Sequence, residues 1–594
     1  MFSNYHNILV LDAPKKPTID KLLNFQGTVF SLKSFSEFPS TVLDFSKDKQ
    51  KAVYDKVSSK VLKEAHHKYQ GKSLSERLVF DENHTLWHFA KFRVYHSMID
   101  SELLKTKIRL VPIEHRKSLL VISDRSVSNS ELNLNEISFQ RASVNSNSTK
   151  SGAGDLILLG VQFLKNALFN WTKFSILSKA KYVFLYDRSM IQLLSIDGES
   201  KGYFNPVLSF LESSKTVESA IILDFQLPKK ISSSSLETQF RAKNAVWSEA
   251  ILLKGILAIL PIRKTISCSA KLLNQLEQWK IEGGDAFIYS EMKSNWNYFR
   301  FHLFRFYCYQ AIFSKSNKVA ISRDENNPFA RAFWQAGETK GLLSVGNQHG
   351  AIAEHSAAYL SNSKDHKLSS YPQLQFVWGE KWKATIAEKF ELPGERMRTV
   401  GQLRTDVLKK IKDRHTDHKQ FILYASQPIP NKSLLKQVDE IAFEAIKNSP
   451  NEQFVLKPHP KQIGKNLFHK FQELPNCSVE ENEDLYELLA KSKATITAFS
   501  TVGAETVFFN NPLLTIDPLQ QDIAGYSAEG IAQECFNSEE LQFQIARLES
   551  HSLEMVGNFG EFISNNFFKV DGNVARRTWE EIDNQLDLLK RNKE

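Results

Sequence analysis

Prolines stand on both sides of His459 in Lys457-Pro458-His459-Pro460, immediately after the apolar run 454–456. Neither proline can donate to a sheet ladder, and the residue before each is pushed out of helix. A short buried strand must therefore end there in a stiff loop that carries an imidazole. A helix-forming stretch follows, and then a second apolar run, 494–497, whose turn delivers Ser500 and Thr501 to the start of a helix beginning near Gly503. Short apolar runs separated by helical sequence are the pattern of a parallel sheet buried on both faces. The bland role for the two hydroxyls is a helix cap. Coupled to the His459 loop they also suit a phosphate, because N–H groups and the positive end of the helix dipole favour an anion there. His459 or Lys457 would add a further donor.

The same alternation runs through the rest of the chain. Runs 8–11, 29–32, 119–122, 182–186 and 221–223 read as strands, and 299–313 as a buried aromatic helix. Residues 319–345 form a βαβ unit whose helix is opened by Pro328 at its first turn. Its second strand runs into Gly346-Asn347-Gln348-His349-Gly350, which the pattern places in a loop, where chemistry collects in an open parallel sheet. Runs 375–378 and 421–425 read as further strands, the latter ending in Ser426-Gln427-Pro428.

At 594 residues the chain is too long for one core. The Ser/Asn-rich segment 126–154 reads as an exposed loop or hinge. It separates an α/β subdomain at 1–125 from 155–365, the remainder of a Rossmann-like domain; a second such domain is expected at 366–575 and an amphipathic helix at 576–594. Residues 155–181 and 251–261 are the most apolar stretches, with Lys165, Lys173, Lys179 and Lys181 interrupting the first. Amphipathic helices fit them, either packed in the core or lying on a membrane surface. Neither approaches the ~20 apolar residues of a spanning helix.

Lysine and arginine exceed aspartate and glutamate by 76 to 67, a net charge of +9 that suits anionic partners. Zinc-finger spacing, an RRM signature and a dense basic stripe are all missing from the sequence, so nucleic acid is not an expected partner. Cys268, Cys308, Cys477 and Cys535 form no CxxC pair, which argues against a disulfide framework or structural zinc and for a reducing compartment. The first residues read as a strand and not as a signal peptide. A cytoplasmic location is expected, at most at the inner face of the cytoplasmic membrane.

The His-Pro loop and the Ser-Thr turn together resemble the nucleotide-binding half of GT-B glycosyltransferases, α/β enzymes whose two Rossmann-like domains face a cleft. More narrowly they are similar to bacterial surface-polysaccharide enzymes (sialyltransferases, Kdo transferases and polyol-phosphate transferases) in which such motifs hold a cytidine nucleotide. The resemblance covers residues 341–518. It implies a GT-B fold with an extra N-terminal subdomain or insertions. The activity implied is transfer of a CMP-linked acidic sugar, sialic-acid-like or Kdo-like, onto a glycan or glycolipid acceptor in capsule or lipopolysaccharide synthesis. UDP-sugar or CDP-polyol donors, a UDP-sugar 2-epimerase and a non-catalytic scaffold stay open.

Under that resemblance Lys457, His459, Pro460, Ser426, Ser500 and Thr501 line the donor, and Glu505 accepts from the ribose or is a solvated first-turn carboxylate. The Gln-His-Gly sequence resembles the Trp-His-Gly histidine of polyol-phosphate transferases, with Gln348 in place of the aromatic. His349 is then the general base, an imidazole with a solution pKa near ~6.5. Gly346 and Gly350 let the loop approach a substrate, and Asp324 and Glu325 are the competing bases. The chain has no Asp-x-Asp triplet, so no metal site and no cofactor beyond the donor are expected.

Overall fold

Apolar runs too short for helices become parallel strands, and three parallel sheets result. The structure is a computed structural model that describes residues 6–11, 22–32, 40–43, 45–116, 119–123, 137–141, 161, 163–165, 167–168, 171–187, 218–224, 245–322, 325–350, 352, 356, 359–403, 405–406, 408, 411, 420–429, 432–459, 462–464, 467–520, 522, 524–551 and 558–591. The first sheet has the order β3-β2-β1-β6-β7, from β1 (Asn7–Val10), β2 (Thr28–Ser31), β3 (Thr41–Val42), β6 (Leu119–Ser123) and β7 (Ile137–Arg141). A small antiparallel hairpin, β4 (Val79–Asp81) with β5 (His84–Thr85), stands apart from it.

The second sheet comprises β8 (Tyr182–Asp187), β9 (Ser219–Asp224), β10 (Ala245–Trp247), β11 (Val319–Ser322), β12 (Leu343–Asn347), β13 (Leu374–Val377) and β14 (Met397–Thr399), ordered β10-β9-β8-β11-β12-β13-β14. The third comprises β15 (Phe421–Ala425), β16 (Phe454–Lys457), β17 (Cys477–Val479), β18 (Ser492–Thr497), β19 (Leu513–Ile516) and β20 (Gln533–Cys535), ordered β17-β16-β15-β18-β19-β20. In each sheet the chain enters at an inner strand, builds outward on one side, then crosses to build on the other. This is the doubly wound order, and it leaves a crevice at the carboxyl ends of the strands where the direction reverses.

The second and third sheets are two doubly wound, Rossmann-like units, the architecture that the GT-B resemblance implies, and the first is an additional N-terminal sheet. The end of the chain ties the pair together. Helix Val574–Arg591 returns to the second sheet, where Trp579 packs edge-on against Tyr182 at 4.8 Å and Tyr182 donates to Asp583 at 3.2 Å. The Asp406 carboxylate caps that helix by accepting from the Val574 and Ala575 N–H groups, each at 2.9 Å.

Three stretches depart from the sequence reading. Leu374–Val377, expected to open the C-terminal domain, pairs with β12 and β14, so the handover between sheets falls after Thr399. An apolar run announces a strand but not which strands will flank it. Within the Ser/Asn-rich segment, Ile137–Arg141 is a strand beside β6; the remainder of 126–154 lies outside the described residues. Strand Cys477–Val479 interrupts the stretch read as helical and pairs with β16.

Helices Lys47–His66, Trp87–Leu110, Leu260–Ile281 and Trp296–Ile312 form one core with the face of the second sheet that carries Val183, Leu185, Ala220 and Ile222. Within that core lies a buried polar cluster. The fully buried Asp365 carboxylate sits 3.3 Å from His66 and 3.9 Å from His88. Lys91 donates to Leu360 O at 2.6 Å, and Arg331 donates to Ser370 O at 2.7 Å and to Asn326 Oδ1 at 3.1 Å. Through Leu360, Asp365 and Ser370 the helical layer is thereby bolted to the loop that follows β12.

Burial, aided by the Arg331 charge and opposed by Asp365, pushes the Lys91 ammonium from 10.5 down to about 7. Between those values the unfolded chain binds a proton that the folded chain does not, so this group makes stability rise with pH over that window. Lys91→Met is expected to flatten the rise in urea melts taken between about pH 7 and 10. A variant keeping the wild-type slope would show that Lys91 is not its source.

Candidate functional site

Strands β16, β15 and β18 lie side by side, so the loops at their carboxyl ends are neighbours. With adjacent strands about 4.8 Å apart, the ends of β16 and β18 are separated by roughly 10 Å, a gap that side chains can close on one anion. Two carboxamides hold these loops in register. Gln462 Oε1 accepts from Ser426 Oγ at 2.9 Å and from the His459 N–H at 3.1 Å, while the Gln462 N–H donates to His459 O at 2.7 Å. Gln427 Oε1 accepts from the Phe499 N–H at 3.0 Å. Ser426 is therefore a buried fastener of the His459 loop.

The Ser500 turn is fixed from the other side. Tyr526 donates its hydroxyl to Ser500 O at 2.8 Å, and its ring lies where a Cβ on Gly503 would come within 2.4 Å, so only glycine fits there. Ser500 Oγ accepts from the Val502 N–H at 3.3 Å, the expected capping role. Thr501 is exposed and its hydroxyl makes no capping bond. Helix Val502–Thr506 has only five residues before a 3-10 turn over Val507–Phe509. So short a helix carries little macrodipole, and an anion here would rely on hydroxyls and N–H groups more than the sequence reading supposed. Glu505 is 3% exposed, which excludes the solvated-carboxylate role.

Two acidic neighbourhoods bound this edge. Lys457, expected to add charge to the donor pocket, instead donates to Glu481 O at 2.7 Å. Burial lowers its pKa against the pull of Asp484, Glu483, Glu480 and Glu481. Its ammonium is thus drawn to the acidic 480–484 loop. Beyond the Ser500 turn, Phe499, Thr515, Asp517, Asp522, Tyr526 and Glu534 line a small, partly open cleft. Burial and Asp517 raise the Glu534 pKa there. Those carboxylates disfavour phosphate on that side.

The second group of residues sits at the carboxyl edge of the second sheet. Glu325, fully buried in the loop after β11, places Oε2 3.3 Å from His349 Nδ1, and the His349 side chain is 40% exposed. A carboxylate on Nδ1 selects the tautomer that leaves Nε2 as acceptor, so Glu325 is the partner of the imidazole and not its rival. Gly346 lies within β12, and a Cβ there would meet Glu325 Cβ at 2.8 Å. Its missing side chain makes room for Glu325, not for a substrate; Gly350 faces open space.

Gln348, where the resemblance leads one to look for an aromatic, uses its side chain to accept from the Trp378 N–H at 2.9 Å, while its carbonyl accepts from Trp378 Nε1 at 2.9 Å. The Trp378 ring stacks on Phe567, which packs edge-on against Phe508, in the turn that follows the Glu505 helix. A continuous chain of contacts thus connects the His349 loop to the segment behind Ser500 and Thr501. Sequence reasoning missed Gln462, Gln427, Tyr526 and Trp378. Gln462, three residues beyond His459, and Gln427, next to Ser426, had a local signal. Asp324 and Pro460 lie outside the described residues.

Among the described residues no group of three or more His, Cys, Asp or Glu is arranged to hold a metal ion, and no helix is long and apolar enough to cross a membrane. No protein-family model matches the chain, and no curated protein sequence matches it. Solved structures similar to it include the wall teichoic acid polymerase TagF, at 10% identity and TM-score 0.40, covering 74% of this chain and 99% of that one. The S. aureus MnaA–UDP structure is similar at 14% and 0.38, covering 69% and 97%. The UDP-GlcNAc 2-epimerase of Neisseria meningitidis bound to UDP-GlcNAc matches at 11% and 0.40, covering 68% and 99%. Scores this low say nothing of this chain's substrate or activity.

Proposed function

We propose that the protein is a glycosyltransferase of surface-glycan synthesis that takes its sugar from a cytidine nucleotide, with a CMP-linked acidic sugar as the donor. The observation that carries this reading is the lacing of three adjacent strand ends by Gln462 and Gln427, which gathers His459, Ser500 and Thr501 on the switch-point edge of a Rossmann-like sheet. His459, Ser500 and Thr501 hold the phosphate oxygens, and Glu505 stands one turn further on for the ribose. His349 Nε2 takes the proton of the acceptor hydroxyl while the new bond to the sugar carbon forms. The bond from that carbon to the phosphate oxygen breaks, and its electrons leave on the nucleotide. Glu325 holds the imidazole for that task and balances the charge it gains.

Nucleotide preference tests the reading. Thermal-shift titration with CMP, CDP, UDP and GDP is expected to stabilise the protein with the cytidine nucleotides first, by about 2.7 kcal/mol at a hundredfold excess over Kd. A response to UDP alone would point to the UDP-sugar alternatives. Silence towards all four would refute a nucleotide-dependent transferase.

A further inference from the structure

The two most apolar segments of the sequence meet on one flank of the second sheet. Helix Phe174–Lys179 buries Leu177, and helix Ser248–Leu257 buries Ala250 and Ile251, in the core that includes Val183, Ala220 and Ile222. The two segments touch where the Lys254 ammonium sits 4.5 Å from the centre of the Phe174 ring. With their inner faces filled, both keep a second apolar face turned outward. Leu164 and Leu168 are 49% and 64% exposed, and Leu257, Ile259 and Leu260 are 62%, 54% and 56% exposed. Ile259 holds a φ of 61°, a conformation β-branched residues rarely adopt, at the turn between helices Ser248–Leu257 and Leu260–Ile281.

Charge says what this face fits. Residues 156–186 contain four lysines, and residues 250–276 contain Lys254, Arg263, Lys264 and Lys271; neither stretch has a single aspartate or glutamate. Lys165, Lys254, Arg263 and Lys264 are exposed and lie within a few residues of these leucines along the chain; Lys264 donates to Gln310 at 3.3 Å. A second copy of this face would bring the same positive charges against it. Basic side chains bordering exposed leucines complement anionic headgroups above an acyl layer.

We propose that this flank docks on an anionic lipid bilayer, with Leu257, Ile259 and Leu260 entering the headgroup–acyl boundary and the lysines and Arg263 at the headgroups. The docking does not depend on the transferase reading. Sedimentation of the full chain with phosphatidylcholine vesicles, with and without about one-third phosphatidylglycerol, tests it. Binding is expected with the anionic vesicles, weaker by about tenfold or more with the neutral ones and weakened by salt. The double variants Leu257→Glu with Leu260→Glu, and Arg263→Glu with Lys264→Glu, should each lose about tenfold or more of that binding. Both should keep the wild-type melting temperature and nucleotide thermal shift. Wild-type protein that ignores vesicles or binds both kinds equally, or variants that bind as wild type, would overturn the proposal. So would variants that change only the mass of the protein in solution, which would identify the face as a contact between copies.

Discussion

His349→Ala is expected to bind the nucleotide donor normally and to lose about 10²- to 10⁴-fold in kcat, the range typical of a lost general base. Loss confined to kcat follows from the position of His349 at the edge of the second sheet, while the residues proposed to hold the donor, His459, Ser500 and Thr501, stand on the third. The buried Glu325 carboxylate on Nδ1 adds a second readout. Glu325→Gln keeps the volume but removes the charge that balances an imidazolium, so kcat should fall by less than in His349→Ala with donor affinity unchanged. Steady-state kinetics with donor and acceptor separate the cases. His349→Ala retaining more than about a tenth of wild-type turnover would remove it as the base.

The second large effect is on donor affinity. A hydrogen bond to a charged group contributes about 1.5–3 kcal/mol, so replacing both Ser500 and Thr501 with alanine should weaken cytidine nucleotide binding by roughly 10²- to 10⁴-fold. The five-residue helix behind them offers little dipole to compensate. His459→Ala should weaken binding in the same sense, with kcat less affected than Kd. Because Ser500 Oγ also accepts from the Val502 N–H, the double variant should be accompanied by Thr501→Ala alone, whose exposed hydroxyl caps nothing. Calorimetric titration giving an unchanged Kd in both would dismiss the phosphate role.

What was legible in the sequence was local. Pro458 and the apolar run before it end a strand whatever surrounds them, and the Ser500-Thr501 turn marks a helix start by its own chemistry. Partnership was not legible. Leu374–Val377 looks the same whether it pairs with β12 or opens a new sheet, and Ile137–Arg141 is a strand only because β6 lies beside it. The site divides the same way. His349 and His459 stand out by their neighbours in sequence, whereas Tyr526 and Trp378 act on loops far from them in the chain. Lys457 was misread for a related reason: the acidic run 480–484 is plain in sequence, but its fold onto Lys457 is not.

A crystal structure of the protein with CMP or CDP bound examines the account at its base. The phosphate should lie about 2.6–3.2 Å from the Thr501 and Ser500 hydroxyls and from a ring nitrogen of His459, at the carboxyl edge of β15, β16 and β18. Density for the phosphate at the carboxyl ends of β8 and β11, or His459 and Ser500 on opposite faces with no anion between them, would contradict it.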